Sequence, residues 1–78
     1  MPTVFRSSGY RFFFYAGDGN EPPHIHVVGE RSSAKFWLDP VWLSRSRGFS
    51  RNEIRQIQRL VEENLELLLR SWNDYFND

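Results

Sequence analysis

The chain has 78 residues, no cysteine, and ten Lys and Arg against ten Asp and Glu, so it carries no formal net charge. A chain of this length makes one domain and buries only about 60% of its unfolded surface; with no disulfide framework or thiolate zinc site available, large side chains must hold it together. The neutral balance excludes the strongly basic footprint of a general nucleic-acid binder and leaves only local cationic patches.

Aromatic residues make up 17% of the sequence and supply the missing bulk. Val4-Phe5-Arg6 reads as a short pairing piece ahead of the Ser7-Ser8-Gly9 turn. Tyr10 to Tyr15, aromatic except for Arg11 and bounded by Gly9 and by Gly17-Asp18-Gly19-Asn20, reads as a strand that ends in a turn. Pro22-Pro23 interrupts any ladder because neither residue donates a hydrogen bond, and the chain restarts as a strand over His24 to Val28. Gly29-Glu30-Arg31-Ser32 is a hairpin loop, Ser33 to Leu38 the next strand, and Asp39-Pro40 the turn that stops it. A further strand is predicted over Val41 to Arg45.

Ser50, followed three residues later by Glu53, is a capping box, with Phe49 and Ile54 placed for a hydrophobic staple. Ile54, Ile57, Val61, Leu65, Leu68, Trp72 and Tyr75 then recur at helical spacing, predicting one amphipathic helix over about 51–76, with Asn64 marking a kink. Leu60, Leu67 and Leu69 widen the stripe beyond what one small sheet needs, which points to a surface covered by a partner or by a second copy in a homodimer. The expected fold is a single α+β domain over 1–78. A three- or four-stranded, mainly antiparallel sheet within 4–45 packs on one long C-terminal helix. The longest apolar stretch, Phe12 to Ala16, is too short to span a bilayer, and the start of the chain lacks a signal-peptide pattern. A cytoplasmic protein without a membrane partner is therefore expected.

A hairpin around the four-residue loop pairs Val28 with Ser33, and hence Ile25 with Phe36 and Val27 with Ala34 on one face, His26 with Lys35 and His24 with Trp37 on the other. The first face is apolar and should meet the helix; the second should look outward. Two imidazoles at alternate strand positions project side by side, about 6–7 Å apart. They suit a general acid and general base flanking a phosphate, with Lys35 and Arg11 stabilising developing negative charge. They equally suit a pair of ligands on one divalent metal, for which Glu21 and Asp39 are the nearest carboxylates, although Asp39 before Pro40 is better explained as a turn residue. A His-x-His pair is more often structural than catalytic, hydrogen-bonding the backbone beyond the diproline or covering the sheet beside Trp37. No cofactor is expected. Arg11, Lys35, Trp37, Arg45 and Arg47 are candidate contacts for nucleic acid or another anion, and Phe13, Tyr15 and Trp37 candidate stacking platforms for bases. The competing account is a solvated Arg45-Ser46-Arg47-Gly48 loop, with Phe12 and Phe14 in the core.

Five blocks together resemble the bacterial domain-of-unknown-function 4160 family. They are Thr3-Val4-Phe5-Arg6; Gly9-Tyr10-Arg11-Phe12-Phe13-Phe14-Tyr15; Glu21-Pro22-Pro23-His24-Ile25-His26-Val27; Ala34-Lys35-Phe36-Trp37-Leu38; and Gly48-Phe49-Ser50. The resemblance covers almost the whole chain and is most specific in the Glu-Pro-Pro-His-Ile-His-Val run. It implies a genetic context and no enzymology: such domains are commonly encoded beside a small DUF2442-like protein, in pairs that look like type II toxin–antitoxin modules. The expectation is a toxin acting on RNA or the translation machinery through the face carrying His24 and His26. The alternative is a non-catalytic, antitoxin-like or regulatory module that binds the neighbouring gene product.

Overall fold

The computed structural model describes residues 3–77. Five strands, β1 (Thr3–Ser7), β2 (Tyr10–Phe13), β3 (His24–Val28), β4 (Ser33–Leu38) and β5 (Val41–Arg47), form one antiparallel sheet in sequential order. Two helices follow, α1 (Arg51–Glu63) and α2 (Leu65–Phe76). The α+β class is as expected, with more strands and a divided helix.

Each difference from expectation has a local cause. Ser8 and Gly9 both take positive φ, and the tight turn they make lets β1 pair along its length, Phe5 with Phe12, Arg6 with Arg11 and Ser7 with Tyr10. The β2 ladder stops at Phe13, two residues earlier than predicted. The chain then winds into a 3-10 turn over Ala16–Asn20, where the Asp18 N–H donates to Tyr15 O at 3.0 Å and the Glu21 N–H to Asp18 O at 3.1 Å. An irregularity between Lys35 and Phe36 carries β5 on to Arg47. Helix α1 ends where Asn64 leaves helical dihedrals, at φ −113° and ψ 18°, and its side-chain amide donates to Leu60 O at 2.8 Å. Asn side chains compete with the backbone in this way. The Leu68 N–H then donates to Asn64 O, which starts α2.

The β3–β4 register is the predicted one at all five positions, from His24 opposite Trp37 to Val28 opposite Ser33. One face of the sheet thus presents Phe12, Ile25, Val27, Phe36 and Leu38, which together with Phe14 pack on Ile57 and Val61 of α1 and Leu68 and Trp72 of α2. Each fully buried side chain of this size contributes about 1.5–3 kcal/mol. The capping box fixes where α1 begins: Glu53 N–H donates to Ser50 Oγ and Ser50 N–H to Glu53 Oε1. Gly48, just before it, has φ 86°, and a Cβ there would stand 2.9 Å from Ser32 Oγ, so the turn into α1 takes glycine. Gly19 serves a different purpose. A Cβ there would lie 2.7 Å from the Phe76 ring, so glycine lets the 3-10 turn close down on α2.

Candidate functional site

His24 begins β3 immediately after Pro22-Pro23. The imidazole folds back so that Nδ1 lies 2.9 Å from Pro22 O. A carbonyl only accepts, so Nδ1 carries the hydrogen and Nε2 points the other way. There it meets the 3-10 turn: Asp18 Oδ2 lies 3.1 Å from His24 Nε2 and 3.1 Å from His26 Nε2, and also accepts the Tyr15 backbone N–H at 2.8 Å. Asp18, His24 and His26 converge so closely that one atom of each lies within 4.8 Å of the others. His24 is fully buried, and its Nε2 makes no hydrogen bond of acceptable geometry despite its proximity to Asp18. Trp72 covers it at 4.9 Å between ring centroids and Trp37 meets it edge-on at 5.5 Å. His26 stacks on Phe13 and meets Tyr15 edge-on.

A second polar pair sits beside this cluster. Lys35, buried on β4, donates to Glu21 Oε1 at 2.8 Å and lies 4.5 Å over the Trp37 ring. The hydrogen bond from Lys35 holds the Glu21 carboxyl below its ordinary pKa. Burial draws His26 below the usual imidazole value, and the Asp18 carboxylate beside it opposes that pull. From His26 a cleft of about 430 Å³ runs across the outer sheet face, lined among others by Tyr15, Ser33, Lys35, Arg45 and Arg47 and, among the described residues, by no carboxylate. Arg45 stands opposite Lys35 in the β4–β5 ladder and Arg47 opposite Ser33. Both arginines are exposed, and among the described residues neither makes an ion pair.

A family model described as Domain of unknown function (DUF4160) matches residues 9–73. The chain belongs to that family. No curated protein and no solved structure gives a significant match. No helix among the described residues of this DUF4160 chain is long and apolar enough to cross a membrane.

The candidate residues read from sequence fall into three groups. His26, Lys35, Arg45 and Arg47 do share the outward face. His24 does not: expected in the open beside His26, it is sealed under Trp72, because α2 and the 3-10 turn both close over the end of the sheet where β3 starts. Arg11 and Trp37 also lie outside the cleft. The Arg11 guanidinium covers the Phe13 ring at 4.8 Å and lines a separate hollow with Arg6, Tyr10 and Glu30. Trp37 supports Lys35 and lines an apolar groove with Pro22, Pro23 and Trp42. Phe13, 2% exposed, is closed to base stacking, whereas Tyr15 is half exposed. Asp39 sits exposed in its turn, as expected, and Glu21 reaches to 3.8 Å of His24 Nε2. Asp18 is the functional candidate that sequence reasoning missed. In the sequence it belongs to a turn cluster, and its one signal is its place between two glycines six residues before the first histidine.

Proposed function

We propose that the outer sheet face binds single-stranded RNA and that this chain is the toxin component of a bacterial type II toxin–antitoxin module acting on RNA or the translation machinery. The observation that carries the reading is the cleft, whose lining among the described residues gathers Lys35, Arg45, Arg47 and His26 and no acidic residue. Lys35 stands directly opposite Arg45 in the ladder, and Glu21 is the anion that offsets Lys35, which leaves Arg45 and Arg47 to be met by anions from outside. Phosphates spaced along a single strand supply such anions, and Tyr15, half exposed next to His26, offers a face for a base. Within this reading Arg45 and Arg47 bind phosphate, and His26 is the proton-transfer group, held by Asp18. Lys35 is a weaker electrostatic stabiliser than its sequence position implied, because Glu21 already neutralises much of its charge.

The test is induced expression in a bacterial host. The wild-type chain arrests growth, and the R45E/R47E double variant, with an unchanged far-UV spectrum, does not. Equal arrest by both would remove the cleft from the mechanism, and no arrest by the wild type would remove the toxin role.

A second reading, a non-catalytic module that grips the DUF2442-like neighbouring product, is favoured by a separate observation. Trp42 is 68% exposed, and Leu67 and Tyr75 are each nearly half exposed. Co-expression followed by size-exclusion chromatography distinguishes the two: a stoichiometric complex formed by a chain that binds no RNA supports this reading over the first.

A further inference from the structure

Three features of the cluster at the head of β3 converge. First, the three donor atoms converge, all within 4.8 Å of one another, so that an ion would draw the two imidazoles closer together around Asp18. A zinc-class ion with bonds of about 2.0–2.1 Å needs neighbouring donors about 3.0–3.4 Å apart, depending on whether it is octahedral or tetrahedral. Asp18 Oδ2 stands 3.1 Å from each imidazole Nε2.

Second, His24 is oriented as a metal ligand is. One ring nitrogen is tied to a backbone carbonyl, which fixes the tautomer and leaves the other as a lone pair. That lone pair is fully buried, makes no acceptable hydrogen bond, and points at a carboxylate oxygen. Two acceptors facing each other repel, and a cation between them removes the repulsion.

Third, the surroundings are apolar on the inner side and open on the other. Trp37 and Trp72 flank His24, and Phe13 and Tyr15 flank His26. The cleft begins at His26. His24 is sealed while Asp18 and His26 are only partly buried, so a cation held here is reached from the Asp18–His26 side.

We propose that Asp18 Oδ2, His24 Nε2 and His26 Nε2 form a binding site for one divalent transition-metal ion, with Glu21 and Lys35 as an adjoining ion pair that fixes the loop over it. Two imidazoles and one carboxylate select zinc-class ions over magnesium and calcium, which prefer all-oxygen sites. Three protein ligands leave at least one position for water or a substrate oxygen, the pattern of reactive rather than purely structural zinc sites. The site rests on the RNA reading and revises one role in it: an ion on His26 Nε2 takes the place of proton transfer there, because that nitrogen cannot both bind the ion and move a proton. It shares His26 and Asp18 with that reading but none of its phosphate contacts, so Zn²⁺ uptake and the effect of Arg45 and Arg47 on RNA binding are decided separately.

The test uses the full chain, stripped with EDTA and titrated with Zn²⁺ against a chromophoric chelator, with Co²⁺ absorption as a second readout. The wild type takes up one equivalent of Zn²⁺ and gives the visible bands of a nitrogen- and oxygen-ligated Co²⁺. Asp18→Asn and His26→Asn each weaken binding at least about tenfold. His24→Asn serves as a third variant only if it folds, since that ring is packed in the core; the two others suffice without it. R45E/R47E retains wild-type Zn²⁺ affinity while losing RNA. Absence of Zn²⁺ uptake by the wild type overturns the site, as does undiminished uptake by both D18N and H26N.

Discussion

Replacing Arg45 and Arg47 together by glutamine removes two exposed cations from the cleft without introducing a charge. Binding of single-stranded nucleic acid falls with salt by a slope of about −0.7 in log K per phosphate neutralised. Lys35 is held by Glu21, so the two unpaired arginines carry the count, and their removal should make the slope less steep by about 1.4. At about 0.1 M salt the same term makes the double variant about 25-fold weaker, and between about 50 and 200 mM the wild type loses about sevenfold more affinity than the variant. Fluorescence anisotropy with a labelled, unstructured RNA of about ten nucleotides measures both quantities, in EDTA so that metal plays no part. Equal slopes for the two proteins would refute the assignment of phosphate contacts to β5, whatever their absolute affinities.

The remaining predictions concern the scaffold and the polar cluster. Ile57→Ala opens a cavity at a fully buried position between α1 and the sheet. It should cost about 2–5 kcal/mol in a denaturant titration, enough to unfold much of a population this small; a loss under 1 kcal/mol would mean that α1 is not seated as described. Ser50→Ala removes the Oγ acceptor of the capping box and should cost about 1 kcal/mol by the same measurement, leaving RNA affinity unchanged. In chelator, acid should destabilise the fold in two stages. Both His26 and Glu21 have folded pKa values below their ordinary 6.5 and 4.5, so the unfolded chain binds more protons as pH falls. The His26 contribution is complete above about 6.5 and is lost as pH drops through its lower folded value; the Glu21 contribution is lost only below about 4.5. A melting temperature that rises on acidification from pH 7.5 to 5.5 contradicts this sign.

Pairing was legible wherever it was set by local chemistry. The four-residue loop and the alternation of Ile25 and Val27 with His24 and His26 fixed the β3–β4 register, because a slip of one position would have turned Ile25 and Phe36 outward. Ser50 and Glu53 marked the start of α1 for a similar reason, each partner being three residues from the other. What could not be read was the closure of the sheet end. Nothing in Gly17-Asp18-Gly19-Asn20 distinguishes a plain turn from a 3-10 turn that folds over β3. That choice depends on Gly19 meeting Phe76, 57 positions away. The burial of His24 depends in turn on Trp72. Alternation placed both imidazoles on one side of the strand, but two distant elements converge there and divide them, one sealed and one at the lip of the cleft. Asn64 marks a helix irregularity in the sequence, but that it divides the helix in two follows only from its own backbone dihedrals and its bond to Leu60 O.

RNA carrying a photoreactive 4-thiouridine, crosslinked to the full chain and mapped by mass spectrometry, tests the claimed surface directly. Crosslinks to Tyr15, to His26 or to the Arg45–Arg47 segment are the predicted result. Crosslinks confined to the outer faces of α1 and α2, with those three sites unmodified, would contradict it.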